Sequence, residues 1–122
     1  MALLNLVNLA TLNAITSAYN SVPTTGAVVL SAVPSAHVYK LNTVTAINKT
    51  NTAATISLVI YRNTSTYTTL AYQMSVPGTA SLNIVSKDTP IYLMDTQSDV
   101  LSAIASTSNA IDLIVSYDDI YY

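Results

Sequence analysis

From residue 27 onward, short apolar runs alternate with polar positions, and turn-forming residues separate them. Ala27–Val33 is a brief apolar run ended by Pro34. His37–Asn48 predicts a long strand in which Tyr39, Leu41 and Ile47 alternate imperfectly with Val44 and Ala46, as if both faces were covered. After a turn at Lys49–Thr52, Ala54, Ile56, Leu58 and Ile60 alternate with Thr55, Ser57, Val59 and Tyr61. That period of two is the signature of a half-buried strand. Asn63–Ser65 turns the chain, Tyr67–Val76 places Leu70, Tyr72, Met74 and Val76 on one side, and Pro77-Gly78 stops it. Leu82 and Ile84 mark a strand over Ala80–Ser86, and Lys87–Pro90 forms its turn. Ile91–Met94, Val100–Ala105 and Ala110–Tyr117 complete the set; in the last, Ile111, Leu113, Val115 and Tyr117 share one face. Seven or eight strands spaced by roughly 8–12 residues predict an all-β fold. The expected architecture is a single antiparallel β-sandwich, jelly-roll or immunoglobulin-like, of seven to nine strands, occupying residues 23–122. The expected core includes Ile56, Leu58, Ile60, Leu82, Ile84, Leu113 and Val115.

Residues 1–22 are read as an N-terminal apolar arm. Leu3, Leu4, Leu6, Val7, Leu9, Leu12 and Ile15 are interrupted by Asn5, Asn8 and Asn13. The run has neither the positive start nor the unbroken apolar stretch of a secretory signal. It also falls short of the roughly 20 predominantly apolar residues of a membrane span. The chain is therefore expected in the cytoplasm of the cell that makes it. Met1–Ala18 fits a helix or a strand, and an ordinary first core strand is the competing reading.

Composition narrows the function. The chain has 122 residues, of which 51% are hydrophobic and only 8% charged. Lys40, Lys49, Arg62 and Lys87 are its only cations besides His37, and the net charge is −2. Nucleic-acid binding rests on neutralising phosphates with clustered Lys and Arg, so no nucleic-acid partner is expected. Without cysteine there is no disulfide, thiol nucleophile or cysteine-based zinc site. Thr, Ser and Asn supply 41 residues and Glu none. Such a neutral surface is easily desolvated against a partner, which favours life in an assembly.

Catalytic chemistry is sparse. His37 is the single histidine, and its place beside Val38 at a strand start reads as a surface or edge position. Ser, His37 and Asp are all present, but the Gly-flanked nucleophile turn that would make a triad credible is not. Asp95 and Asp99 flank the Thr96-Gln97-Ser98 turn and read as turn chemistry, while Asp118-Asp119 reads as a solvated strand end. Neither pair is expected to hold a metal. Asn48-Lys49-Thr50 and Asn63-Thr64-Ser65 match the glycosylation sequon but have no secretion signal beside them. No enzyme activity and no cofactor is expected. Tyrosine is the only aromatic, with nine residues. Tyr39, Tyr61, Tyr67, Tyr72 and Tyr92 read as core-edge residues with a hydroxyl at the rim. Tyr117, Tyr121 and Tyr122 crowd the C-terminus and read as contact residues.

The segment from Val38 through Ile47, Ala54 and Leu58 to Tyr61 resembles small structural proteins of tailed-bacteriophage virions, those of phages infecting cyanobacteria above all. Ser75–Leu82, Ile91–Leu93, Asp99 and Ile114–Ile120 fit the same pattern. The resemblance spans about residues 30–120 and is carried by strands and turns. Where the pattern has an acidic-Gly-Asp turn before Asp99, this chain has Thr96-Gln97-Ser98. The resemblance implies a virion β-sandwich, a capsid decoration (cement) protein or a neck, tail or fibre component. The leading expectation is a decoration protein that binds the major capsid protein or other virion proteins, localises to the virion and forms a homo-oligomer, expected as a trimer, with no membrane partner. The alternative is a host-surface glycan-binding module with a concave, Tyr-lined site. Leu3, Leu4, Leu6, Val7, Tyr117, Tyr121 and Tyr122 are the expected interface residues.

Overall fold

The computed structural model describes residues 11–63 and 66–121. Nine strands and one 3-10 turn follow in order: β1 (Thr11–Tyr19), β2 (Ala27–Leu30), β3 (His37–Asn48), β4 (Ala54–Arg62), β5 (Thr66–Val76), β6 (Ser81–Val85), β7 (Ile91–Met94), the turn Asp95–Gln97, β8 (Val100–Ala105) and β9 (Ile111–Tyr121). They build two antiparallel sheets. In one, β9 lies between β1 and β3, and β6 and β7 share the far edge of β3 end to end. The other runs β2-β8-β4-β5. The protein is an all-β sandwich.

The alternation read in the sequence sets the core. β4 turns Ala54, Ile56, Leu58 and Ile60 inward, β8 adds Leu101, Ala103 and Ala105, and β9 meets them with Ile111, Leu113, Val115 and Tyr117. Fully burying one such Leu or Ile stabilises the fold by about 1.5–3 kcal/mol. Val22 and Val33, on the connections either side of β2, join the same cluster.

Four expectations change. Part of the stretch read as an arm, Thr11–Tyr19, is a strand: nine residues pair with β9 without a register shift, and Ile15 and Tyr19 pack against the core. Second, β9 continues to Tyr121, because β1 and β3 both pair with it that far. Third, Leu70, Tyr72, Met74 and Val76 do not share one face. Register shifts between β4 and β5 place Ala71 and Val76 inside and leave Tyr72 71% exposed. Fourth, Leu82 and Ile84 are half-buried at the sheet edge, where a shift between Val44 and Thr45 displaces β6 and lets Val85 enter the core.

With only two glycines, the turns rely on other residues. Among the described residues, seven that are not glycine have positive φ. Asn63, Asn109, Ser21 and Ser98 are polar types common in turns. Ala36, Gln73 and Thr79 are not, and each has its N–H held: by Asp95 Oδ2 at 2.8 Å, by Ser57 Oγ at 2.8 Å and by the Thr50 carbonyl at 2.8 Å. Gly78 is required for space. A Cβ there would lie 2.4 Å from the carbonyl oxygen of Asn51.

Two acidic side chains tie the connections to the sheets. Asp99 is fully buried; its Oδ2 accepts the Met94 N–H at 2.9 Å, and Arg62 Nε lies 3.1 Å from its Oδ1, near enough to pair yet off the line of a hydrogen bond. Asp112 on β9 accepts the Ser21 N–H at 2.7 Å and pairs with Lys49 Nζ at 3.0 Å. Desolvation pushes the Asp112 pKa up, but the Ser21 N–H and the Lys49 ammonium together outweigh it, so the carboxyl titrates below its ordinary value. The folded state then binds fewer protons than the unfolded chain. This stabilisation is present above the ordinary carboxylate range and is lost as pH falls through the lower, folded-state value. Thermal melts between about pH 5 and about pH 2 should show a smaller acid-induced loss for Asp112→Asn than for the parent. Equal slopes would show that the linkage lies elsewhere.

Candidate functional site

The outer face of the four-stranded sheet is unusually apolar. The inward set of β4 leaves Ser57, Val59 and Tyr61 pointing outward, and β8 adds Ser102 and Ile104 in the same way. β5 brings Tyr67 opposite Tyr61, with ring centroids 5.8 Å apart and planes inclined by 47°, and Thr69 opposite Val59. Past the register shift, Tyr72 stands at the same surface.

These side chains line a groove of about 470 Å³. Val59, only 8% exposed, is its floor, Tyr61, Tyr67 and Tyr72 line one part and Ile104 another, and Ser57, Thr69 and Gln73 supply polar groups. A smaller hollow of about 250 Å³ continues it over β2 and β8, past Val28 and Gly26. Gly26 has φ +94°, and a Cβ there would sit 3.2 Å from Ile104 Cγ1. Its lack of a side chain therefore serves both the turn into β2 and the wall of the groove.

No Asp, Glu, Lys, Arg or His lines either hollow. The groove can stack rings on a partner, bury apolar groups and exchange hydrogen bonds through hydroxyls and an amide. Acid–base chemistry at neutral pH needs groups that this lining does not contain.

A second cluster closes one end of the first sheet. His37 Nδ1 is 2.6 Å from Asp119 Oδ1, and the His37 ring lies 4.6 Å from that of Tyr121. Tyr39 and Tyr117 pack at 4.8 Å beside them. Burial, then the Asp119 and Tyr117 charges, push the Tyr39 hydroxyl pKa upward. His37 sits at a strand start, as read, but is half-buried and carboxylate-bound. Asp119, with 16% of its side chain exposed, is correspondingly no solvated strand end. Among the described residues, Asp119 is the side-chain partner of the His37 ring. Asp95 and Asp99 serve the turn, holding the N–H groups of Ala36 and Met94. Among the described residues, no group of three or more His, Asp or Glu could hold a metal ion, and no helix is long and apolar enough to cross a membrane.

Of the residues expected to form an interface, only Tyr117 and Tyr121 lie among the described residues. Leu3, Leu4, Leu6, Val7 and Tyr122 lie outside the described residues. Tyr117 is 7% exposed and belongs to the core of its own chain. It faces inward because β9 runs on past it, and the Ile111-Leu113-Val115-Tyr117 alternation had already put it on the core side. Tyr121 is 45% exposed, on His37. Tyr61, Tyr67 and Tyr72, expected at the core edge, line the groove instead. Their signal was the outward half of β4, where Val59 and Tyr61 stand at positions that a solvated face would fill with polar groups.

No protein-family model and no curated protein matches the chain. Solved structures share its fold. One is a chain of Bacillus endospore appendages, described as disulfide-linked pili: 14% identity, TM-score 0.55, covering 91% of this chain and 86% of that one. Another is a chain of the T13 IBDV viral particle, an icosahedral virus, at 8% identity and TM-score 0.55, covering 93% of this chain. Only 32% of the viral chain is covered, so the likeness is to one part of it. At these identities the shared property is the sandwich.

Proposed function

We propose that the protein is a structural component of a virion: a capsid decoration protein that seats on a shell of major capsid protein and stabilises the head. The observation that carries this reading is the uncharged outer face of the four-stranded sheet, where Tyr61, Tyr67, Tyr72, Val28 and Ile104 are all exposed. Monomeric proteins keep large apolar patches few, and an extended one marks an interaction surface. Tyrosine is also among the residues that dominate interface energetics. Occurrence of the same sandwich in a viral particle supports the reading, as does the resemblance to tailed-phage structural proteins.

Copy number on purified particles tests it. Hundreds of copies per particle are expected on a shell, whereas a few to a dozen would indicate a neck, tail or fibre position. Tyr67→Asp with Tyr72→Asp places two charges in the groove without touching the core. This double variant is expected to fold normally and to lose at least about tenfold in affinity for heads lacking the protein, since truncating a central interface aromatic commonly costs 2 kcal/mol or more. Unchanged affinity would show that another face carries the contact.

A host-surface glycan-binding module is the second reading, favoured by the same groove, because tyrosine rings beside Ser57, Thr69 and Gln73 suit a sugar. It requires the isolated protein to bind host cells or envelope polysaccharide. Retention on heads without such binding removes it.

A further inference from the structure

We infer that β1 is a pairing edge through which two copies of this chain join, antiparallel, into one continuous sheet. The sandwich has four lateral margins, and three of them are irregular or short. β2 has four residues and a register shift. β5 is long, but it breaks register with β4 twice and carries Gln73 at φ 49°. The margin formed by β6 and β7 is split between strands of five and four residues, with a shift beside β6. Bulges and short strands are how sheet proteins keep an edge from accepting another strand.

β1 has none of these devices. It runs nine residues in unbroken register on β9, and Thr-Leu-Asn-Ala-Ile-Thr-Ser-Ala-Tyr contains no charge, proline or glycine. Among the described residues, β9 is its only strand partner. Among the described residues its other margin thus presents a straight row of backbone donors and acceptors.

A second copy is the partner that fits, because the strand complements itself. Antiparallel pairing of all nine residues puts Ile15 opposite Ile15 on a two-fold axis. On the solvent side, Leu12 then lies opposite Ala18, and Ala14 opposite Thr16. Leu12, 51% exposed in the single chain, would cover a small side chain across the joint. On the core side Asn13 meets Ser17. No like charges oppose each other anywhere along the joint. Such a contact is closed at two copies, so it is an alternative to the trimer expected from the sequence.

This inference rests on the protein being a subunit of an assembly, but not on which assembly. Its test exploits the absence of cysteine. In the proposed register, positions 12 and 18 of opposite copies are cross-strand neighbours with Cα atoms about 4.5–5.5 Å apart, within disulfide range. Positions 12 and 12, or 18 and 18, are separated by roughly 20 Å. Leu12→Cys and Ala18→Cys are both on the solvent side. Mixed and oxidised, the two full-length variants should give at least about tenfold more covalent dimer than either gives alone. A third variant, Thr16→Lys, sets two ammonium groups beside the axis and should leave a folded monomer by sedimentation and circular dichroism.

Cross-linking of either cysteine variant alone, no cross-linking in the mixture, a dimeric Thr16→Lys variant, or a parent protein monomeric at every concentration would each overturn the pairing. The virion reading is scored separately, by binding to heads. A monomer that binds heads overturns only the β1 contact, and a dimer that does not bind overturns only the proposed function.

Discussion

Replacing Asn48 by alanine is expected to lower the unfolding free energy by about 3–4 kcal/mol, a large share of the 5–15 kcal/mol typical of a domain. Asn48 ends β3 and is 1% exposed. Its amide donates to the carbonyls of Thr52 and Val76 at 2.9 and 3.0 Å, and its Oδ1 accepts the Thr50 N–H at 2.9 Å and the Thr50 hydroxyl at 2.7 Å. One side chain thus fastens the β3–β4 turn to the end of β5. Alanine leaves the buried Val76 carbonyl and the part-buried Thr50 N–H without these partners, and a buried group so stranded costs about 1–3 kcal/mol. Urea unfolding should show a lower midpoint at unchanged slope. Asn48→Asp keeps the acceptor but turns an oxygen toward two carbonyls, so it should be no better than alanine. A loss below about 1 kcal/mol for Asn48→Ala would show that water replaces the network. The same bonds bear on the Asn48-Lys49-Thr50 sequon, because the amide nitrogen a glycan would need is already engaged in the interior.

Truncation at the N-terminus is expected to have two distinct outcomes. A chain beginning at Thr11 keeps every described strand of the sandwich and should unfold cooperatively. One beginning at Tyr19 loses β1, and with it the burial of Ile15 and the cover that β1 gives to the flank of β9 beside Leu113, Val115 and Tyr117. A loss of about 2–4 kcal/mol is expected from the half-buried side chain and the newly wetted edge. The shorter chain should also self-associate through β9, since a bare central strand accepts another chain. Melting curves and light scattering on the two truncations check this. Equal stability would show that β1 is dispensable to the core, as an arm over residues 1–22 supposes.

The strands that turn one side inward and the other to solvent were legible in the sequence, because alternation alone identifies them: β4, β8 and the first seven residues of β9. β1 was not. Leu4-Asn5-Leu6 and Val7-Asn8-Leu9 switch phase, and the edge position of the strand leaves Leu12 exposed, so no single period runs through the segment. β5 misled for a different reason. Its sequence alternates acceptably, but register shifts at Leu58 move Tyr72 outward, and a shift is a property of the pairing rather than of either strand. The groove was hidden by the same event. Tyr67 and Tyr72 meet Tyr61 and Ile104 only after three strands have paired with those irregularities in place, whereas His37 and Asp119 are joined across a register the sequence does not number.

A groove walled by rings, hydroxyls and aliphatic groups has a kinetic consequence. Charged surfaces draw partners together over distances up to the Debye length, about 8 Å at physiological salt, and speed encounter accordingly. This face has nothing with which to steer. If this face seats a partner as proposed, association through it is expected at the unsteered rate, on the order of 10⁵–10⁶ M⁻¹s⁻¹, and nearly indifferent to ionic strength. A lasting contact there would then rest on slow departure, as rings and methyl groups leave water together and return to it together.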